Sequence, residues 1–200
     1  DGDTATIEAG VLEIDNLRGL GYLKMIGGNL RGVSGVDFDT LELRGNSAHS
    51  EWFNGSIRQL KLLISSGAFL DVANTSVNDF TGSQIENSGT FTWTSGNLTT
   101  DATGGITNNV GALFADANPS DVSIGSSGAT FDNYGTYEKT GAGTTTVTQE
   151  FNNYSSETLE VSNGIFEIAG GGTNIDGAVM RVTNSGLIVF KSSPYTIVNA

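Results

Sequence analysis

Apolar and polar residues alternate in short runs along the whole chain. Leu12-Glu13-Ile14-Asp15, Leu41-Glu42-Leu43, Phe69-Leu70-Asp71-Val72, Thr90-Phe91-Thr92-Trp93, Thr158-Leu159-Glu160-Val161 and Ile165-Phe166-Glu167-Ile168 all step with a period of two. That period predicts strands with one face buried. Gly, Asn, Ser and Thr separate the runs, as turns require. Helical spacing has one possible home, residues 56–64, and its flanks are glycine and a Ser-Ser-Gly turn. Almost no helix is expected.

A longer period lies over the short one. An apolar residue, any residue, Asn, any residue and Gly recur as Ile85-Glu86-Asn87-Ser88-Gly89, Phe131-Asp132-Asn133-Tyr134-Gly135 and Val182-Thr183-Asn184-Ser185-Gly186. Thr107-Asn108-Asn109-Val110-Gly111 and Phe151-Asn152-Asn153-Tyr154-Ser155 are variants. Asn87, Asn109, Asn133 and Asn153 are spaced by 22, 24 and 20 residues, and Asn184 follows 31 later. Strand-built repeats of this length predict an all-β, single-stranded parallel β-helix (a β-solenoid), right-handed because parallel crossovers are. Coils of roughly 20–25 residues give about nine turns, stacked ~4.8 Å apart. One continuous module over residues 1–200 is expected, with looser repeats in 1–50 and clearer Asn-x-Gly repeats in 51–200. A β-sandwich is the competing all-β fold, but Asn-Gly hairpin turns occur only at Asn54-Gly55 and Asn163-Gly164.

Composition agrees with a thin, repetitive core. Hydrophobic residues are 37 % of the chain, and glycine is 28 of 200 residues. Each coil of a solenoid needs few inward side chains, and glycine suits corners of positive φ. The net charge of −13 disfavours a nucleic-acid partner. Cysteine is absent, which removes disulfides and Cys-based metal or redox sites. No stretch approaches the ~20 apolar residues of a membrane-spanning helix. The apolar runs at Leu187-Ile188-Val189-Phe190 and Tyr195-Thr196-Ile197-Val198 read as a piece of a longer chain.

The succession from Ile85 through Asn133 and Asn153 to Gly164-Ile165-Phe166 resembles the repetitive β-solenoid segments of large secreted or surface-anchored bacterial proteins. Hemagglutinin-like and autotransporter-passenger adhesins carry such segments. The resemblance implies a coiled extracellular rod, secreted or at the cell surface, and no particular ligand.

Candidate chemistry divides into structural and functional readings. Asn87, Asn109, Asn133, Asn153 and Asn184 are expected to form a ladder of side-chain amides at one corner. Acidic groups (Asp1-Gly2-Asp3, Asp37-Phe38-Asp39 and residues 116–121) read as solvated carboxylates. Calcium is a secondary reading, drawn from Gly171-Gly172-Thr173-Asn174-Ile175-Asp176. No catalytic or cofactor-binding residue is assigned. His49 is the single histidine and reads as an exposed loop residue. Asp37, Asp39, Glu42, Arg44, Arg58 and Lys61 would supply a groove for a polysaccharide lyase or hydrolase if adjacent coils brought them together. Thr90, Thr92 and Thr94 with 144–148 fall short of a regular ice-binding array because Glu138, Lys139 and Glu160 interrupt it. Trp52, Trp93, Tyr134, Tyr137 and Tyr154 are expected to pack in the core or at corners, with stacking on sugar rings the alternative if they are exposed. Tyr134 and Tyr154 occupy equivalent places and are expected to stack on each other. The expected function is a non-enzymatic structural or adhesive module, self-associating end to end or engaging a cell-surface glycan or protein. A polysaccharide-active enzyme and a non-catalytic glycan-binding module are the alternatives.

Overall fold

The computed structural model describes residues 3–17, 19–33, 38–45, 48–154, 158–175, 177–191 and 193–198. Among them are 24 strands and no helix, and every strand pairing is parallel. The chain is a β-solenoid of about nine turns with three faces.

Face one stacks β1 (Thr4–Ile7), β3 (Tyr22–Met25), β6 (Ser50–Trp52), the start of β9 (Phe69–Asp79) and the start of β11 (Thr90–Thr99). It continues through β13 (Leu113–Asp116), β16 (Thr136–Lys139), β19 (Thr158–Val161) and β22 (Val179–Val182). Face two holds β2 (Val11–Ile14), β4 (Asn29–Gly32) and β7 (Ser56–Arg58), then the ends of β9 and β11. Above those lie β14 (Val122–Ile124), β17 (Thr144–Val147), β20 (Ile165–Ile168) and β23 (Leu187–Phe190). Face three holds β5 (Asp39–Leu43), β8 (Leu60–Ile64), β10 (Gln84–Asn87) and β12 (Gly105–Asn108). It ends with β15 (Thr130–Asn133), β18 (Glu150–Asn153), β21 (Gly172–Asn174) and β24 (Tyr195–Ile197).

The period of two decides which side chains enter the rod, and the registers line them up in files. On face one, Leu70, Phe91, Phe114, Tyr137, Leu159 and Met180 form one file. The Phe91 and Phe114 rings stack at 4.6 Å, and Phe114 and Tyr137 at 5.1 Å. Each such ring pair adds about 0.5–1.5 kcal/mol beyond area burial. The next inward file runs Ile7, Met25, Trp52, Val72, Trp93, Asp116, Lys139, Val161, Val182. Face three contributes Leu41, Leu62, Ile85, Ile106, Phe131 and Phe151. Face two adds Leu30, Ile57, Leu98, Ile124, Val147 and Ile168, and with parallel ladders satisfying the backbone these files make up a thin core.

Residues 56–64, the one place with helical spacing, fold as β7 and β8. Gln59 between them has φ +51°, which turns the chain from face two to face three and is incompatible with a helix. Trp52 and Trp93 are fully buried, and each indole N–H donates to the carbonyl three residues on, Gly55 at 3.3 Å and Gly96 at 2.8 Å. The indole thus closes the corner after its own strand.

Candidate functional site

The most continuous polar feature lies inside the rod. Asn87 Nδ2 donates to Asn108 Oδ1, Asn108 to Asn133, and Asn133 to Asn153, each at 2.8 Å, and Asn153 donates to Asn174 at 3.0 Å. The second amide N–H of each goes to a backbone carbonyl at the neighbouring corner: Leu113, Thr136, Thr158 and Val179 in turn. All five side chains are buried. They end face-three strands at inward positions, so each amide bridges the next coil and a neighbouring corner at once.

This spine differs from the sequence expectation at two of five positions. Asn109 lies outside it, half-buried on the outer side, donating to Ser88 Oγ at 2.9 Å. Ile85, Ile106 and Phe131 are register partners, so the position two residues on is Asn108. Asn184 is exposed, with φ +48°, in the turn after β22 on another face. Its place is taken by Asn174, which the apolar-x-Asn pattern missed because Gly172 stands opposite Phe151.

A second polar cluster sits between faces one and two. Asp116 and Lys139, register partners in successive coils, have no solvent exposure, and Lys139 Nζ lies 3.5 Å from Asp116 Oδ2. The Tyr137 hydroxyl donates to Oδ2 at 3.0 Å, and the Thr145 hydroxyl donates to it as well. Oδ1 accepts from Asn118 N at 3.1 Å and Asn118 Nδ2 at 2.8 Å. Burial pushes Lys139 below the ordinary lysine pKa, against the opposing pull of Asp116 and Asp121. Burial, reinforced by Asp116, raises the Tyr137 hydroxyl well above its ordinary value. Sequence reading had placed both charges on the surface: Asp116 in an acidic cluster, Lys139 as an interruption of a threonine face. The alternation within β16 puts Glu138 outside and Lys139 inside.

Of the residues considered for a polysaccharide groove, Glu42 and Lys61 lie on the paired face-three strands β5 and β8, and Arg58 lies on face two. Asp37 lies outside the described residues. Asp39 is buried at the start of β5, accepting from Val33 N at 2.6 Å and Asn16 Nδ2 at 3.2 Å. Glu42 accepts from Ser65 Oγ at 2.9 Å and pairs with Arg44 at 3.4 Å. Arg58 on face two pairs with Asp79, and Lys61 on face three with Glu86 at 2.7 Å. Every described lysine and arginine has an acidic partner, most of them one coil away.

Two carboxylates do meet on adjacent coils, outside face one, where Glu51 and Asp71 are register partners. The Tyr22 hydroxyl donates to Glu51 at 2.7 Å, and Lys24 approaches it at 3.1 Å. His49 Nδ1 lies 2.9 Å from Asp71 Oδ2, its ring stacked on Phe69 at 4.3 Å. The Tyr22 hydrogen bond, aided by Lys24, holds the Glu51 carboxyl below its usual range. A general acid for glycoside cleavage needs the opposite shift.

Tyr134 and Tyr154 stack on each other at 3.9 Å, and the Tyr154 hydroxyl donates to Asp132 Oδ1 at 3.2 Å. Stacking covers one face of each ring, which leaves less of each for a sugar ring. A shallow groove of about 330 Å³ lies beside them, lined by Gln84, Thr103, Gly105, Thr107, Thr130 and Asp132. No three His, Asp or Glu side chains converge as metal ligands among the described residues. Asp1, Gly2 and Asp176, from the acidic and calcium readings, lie outside them. No helix of the described residues is long and apolar enough to cross a membrane. Comparison with protein-family models, with curated proteins and with solved structures finds no match in any of the three.

Proposed function

We propose that this chain is a non-enzymatic structural or adhesive module of a secreted or surface-exposed bacterial protein. The carrying observation is the use made of its polar side chains: the buried asparagines and the surface ion pairs connect successive coils. A chain that spends its amides and cations on stacking gains an extended shape that holds weak contacts apart and repeats them. The resemblance to repetitive solenoid segments supports the extracellular setting.

End-to-end association belongs to the same reading. Inward positions of the last described turn are partly exposed, Phe190 at 45 % and Ile197 at 56 %. In the first turn Leu12, in the inward file with Leu30 and Ile57, is 37 % exposed. A second copy, or further coils of a longer parent chain, would continue both the backbone ladder and these files. Sedimentation of the purified 200-residue chain tests this directly: concentration-dependent growth reduced by Phe190→Lys supports it, and a monomer at all concentrations removes it.

The polysaccharide-active reading is favoured by outward carboxylates paired on adjacent coils, Glu51 with Asp71 and Glu138 with Glu160. Incubation with a panel of neutral and acidic glycans discriminates the readings. Saturable binding without product supports a non-catalytic glycan-binding module. Released reducing ends or unsaturated products, abolished by Glu51→Gln, would replace the adhesive module with an enzyme.

A further inference from the structure

Asp116 and Lys139 are the two charged members of an inward file otherwise filled by Ile7, Met25, Trp52, Val72, Trp93, Val161 and Val182. An apolar pair of similar volume would fill that space without the desolvation cost, several kcal/mol per ion, that a buried ion pair carries. The two side chains are also unequally served. Asp116 receives four hydrogen bonds from Tyr137, Thr145 and Asn118. Asp116 Oδ2 is the sole hydrogen-bond acceptor of Lys139 Nζ among the described residues.

In a dry site, moving one proton from ammonium to carboxylate leaves an amine and an acid, and both charges vanish. The amine then carries a lone pair beside a carboxyl carbon whose oxygens are already polarised by donors. The two Asn118 donors sit on Oδ1, where negative charge would develop during addition. The Tyr137 and Thr145 hydroxyls sit on Oδ2, the oxygen that would leave. Nζ already lies 3.5 Å from Oδ2 of that carboxyl, and pairs brought into reacting orientation reach effective concentrations on the order of 10⁵–10⁸ M. That exceeds the concentration of water working in reverse, and this site is closed to solvent.

We propose that Lys139 and Asp116 condense into an intramolecular amide that ties β13 covalently to β16. The Nζ–Cγ bond forms and the Cγ–Oδ2 bond breaks. Oδ2 leaves as water, carrying the acid proton and one proton from Nζ, and no oxidant or co-reactant takes part. The product keeps a carbonyl on Oδ1 for Asn118 and turns the misfit amine into a neutral amide nitrogen. This inference concerns the core alone and stands whether or not the adhesive reading does.

High-resolution mass measurement of the intact, unfolded chain is the test. The expected mass is lower than that of the expressed sequence by one water. Cleavage after Glu86, Glu138 and Glu150 should then release segments 87–138 and 139–150 as one joined species. Trypsin should fail to cut after Lys139. Lys139→Arg keeps the cation but cannot form this bond, so its mass should equal that of its sequence. The full sequence mass for the unaltered chain overturns the proposal. So does loss of water placed at any other pair, or loss of ammonia with Asn118 as the joined partner.

Discussion

Replacing Asn108 by Ala and, separately, Asn109 by Ala tests the spine where sequence and structure disagree. Asn108 has no exposure and makes three side-chain hydrogen bonds: one received from Asn87 at 2.8 Å, and two donated, to Asn133 at 2.8 Å and Thr136 O at 3.0 Å. Truncation leaves one N–H of Asn87 and the Oδ1 of Asn133 without partners. Each orphaned buried group costs about 1–3 kcal/mol, so Asn108→Ala should lose roughly 2–6 kcal/mol. Asn109 is half-buried, and truncation removes one bond, to Ser88 Oγ. Its loss should be about 0.5–1 kcal/mol. Urea unfolding followed by circular dichroism gives both values. With a slope near ~2 kcal/mol per M, the midpoint should fall by about 1–3 M for Asn108→Ala and by less than ~0.5 M for Asn109→Ala. Equal losses, or the larger loss at Asn109, would refute the placement of the spine.

Asp116→Ala should destabilise more than Lys139→Met. The first strands a buried amine, whereas the second leaves Asp116 with the donors of Tyr137, Thr145 and Asn118. Removing one partner of a buried pair costs about 3–5 kcal/mol, and thermal unfolding of the two variants measures the asymmetry. Asp101 accepts from Thr103 Oγ1 at 2.7 Å, Thr103 N at 3.0 Å, Gly82 N at 3.1 Å and Gly104 N at 3.2 Å. These bonds, led by the Thr103 hydroxyl, hold its carboxyl below the usual range. The folded chain therefore binds fewer protons here than the unfolded one, so this stability is present above the ordinary carboxylate pKa and disappears as pH falls through the folded value. Asp101→Asn should flatten the acid limb of a stability–pH curve, and an unchanged limb would show that Asp101 carries none of it. Gly141→Ala should prevent stable stacking, because its Cβ would fall 2.0 Å from Asn118 O. Gly67→Ala, with open space around it and φ +77°, should cost only about 1–2 kcal/mol. Soluble yield and midpoint would separate these two, and similar midpoints would contradict the packing at Gly141.

The architecture was legible because the two periods that carry it are local. Alternation in Thr90-Phe91-Thr92-Trp93 names the inward residues of a strand, and recurrence of apolar-x-Asn names the strands that stack. Register is harder, since a solenoid accepts loops of different lengths between strands. In the doublet Asn108-Asn109 the motif points to Asn109, and counting from Ile106, partner of Ile85 and Phe131, moves the spine to Asn108. Asn174 follows Gly172 and Thr173, so no apolar residue marks its strand. Asn184 carries the full motif but closes a different corner. The motif of Asn and Gly thus encodes a turn as readily as a ladder, and position within the coil decides between them.

Charge pattern was the least legible feature, and the reason is physical. Sequence assigns Asp and Lys to solvent by default, because burying either alone is costly. The default fails when two strands far apart in sequence bring opposite charges into one inward file. Strict alternation contained the missing signal. Phe114 and Tyr137 are inward, so the residues two further along their strands, Asp116 and Lys139, must be inward too. Pairing them needs only the repeat that aligns β13 with β16. A solenoid gives each residue a same-file neighbour about one coil away, so a charged residue at an inward position predicts its partner by addition. Thr145, inward on face two, completes the cluster because the file Val122, Thr145, Phe166 runs beside it. Periodicity and register together therefore locate a buried charged pair that composition conceals.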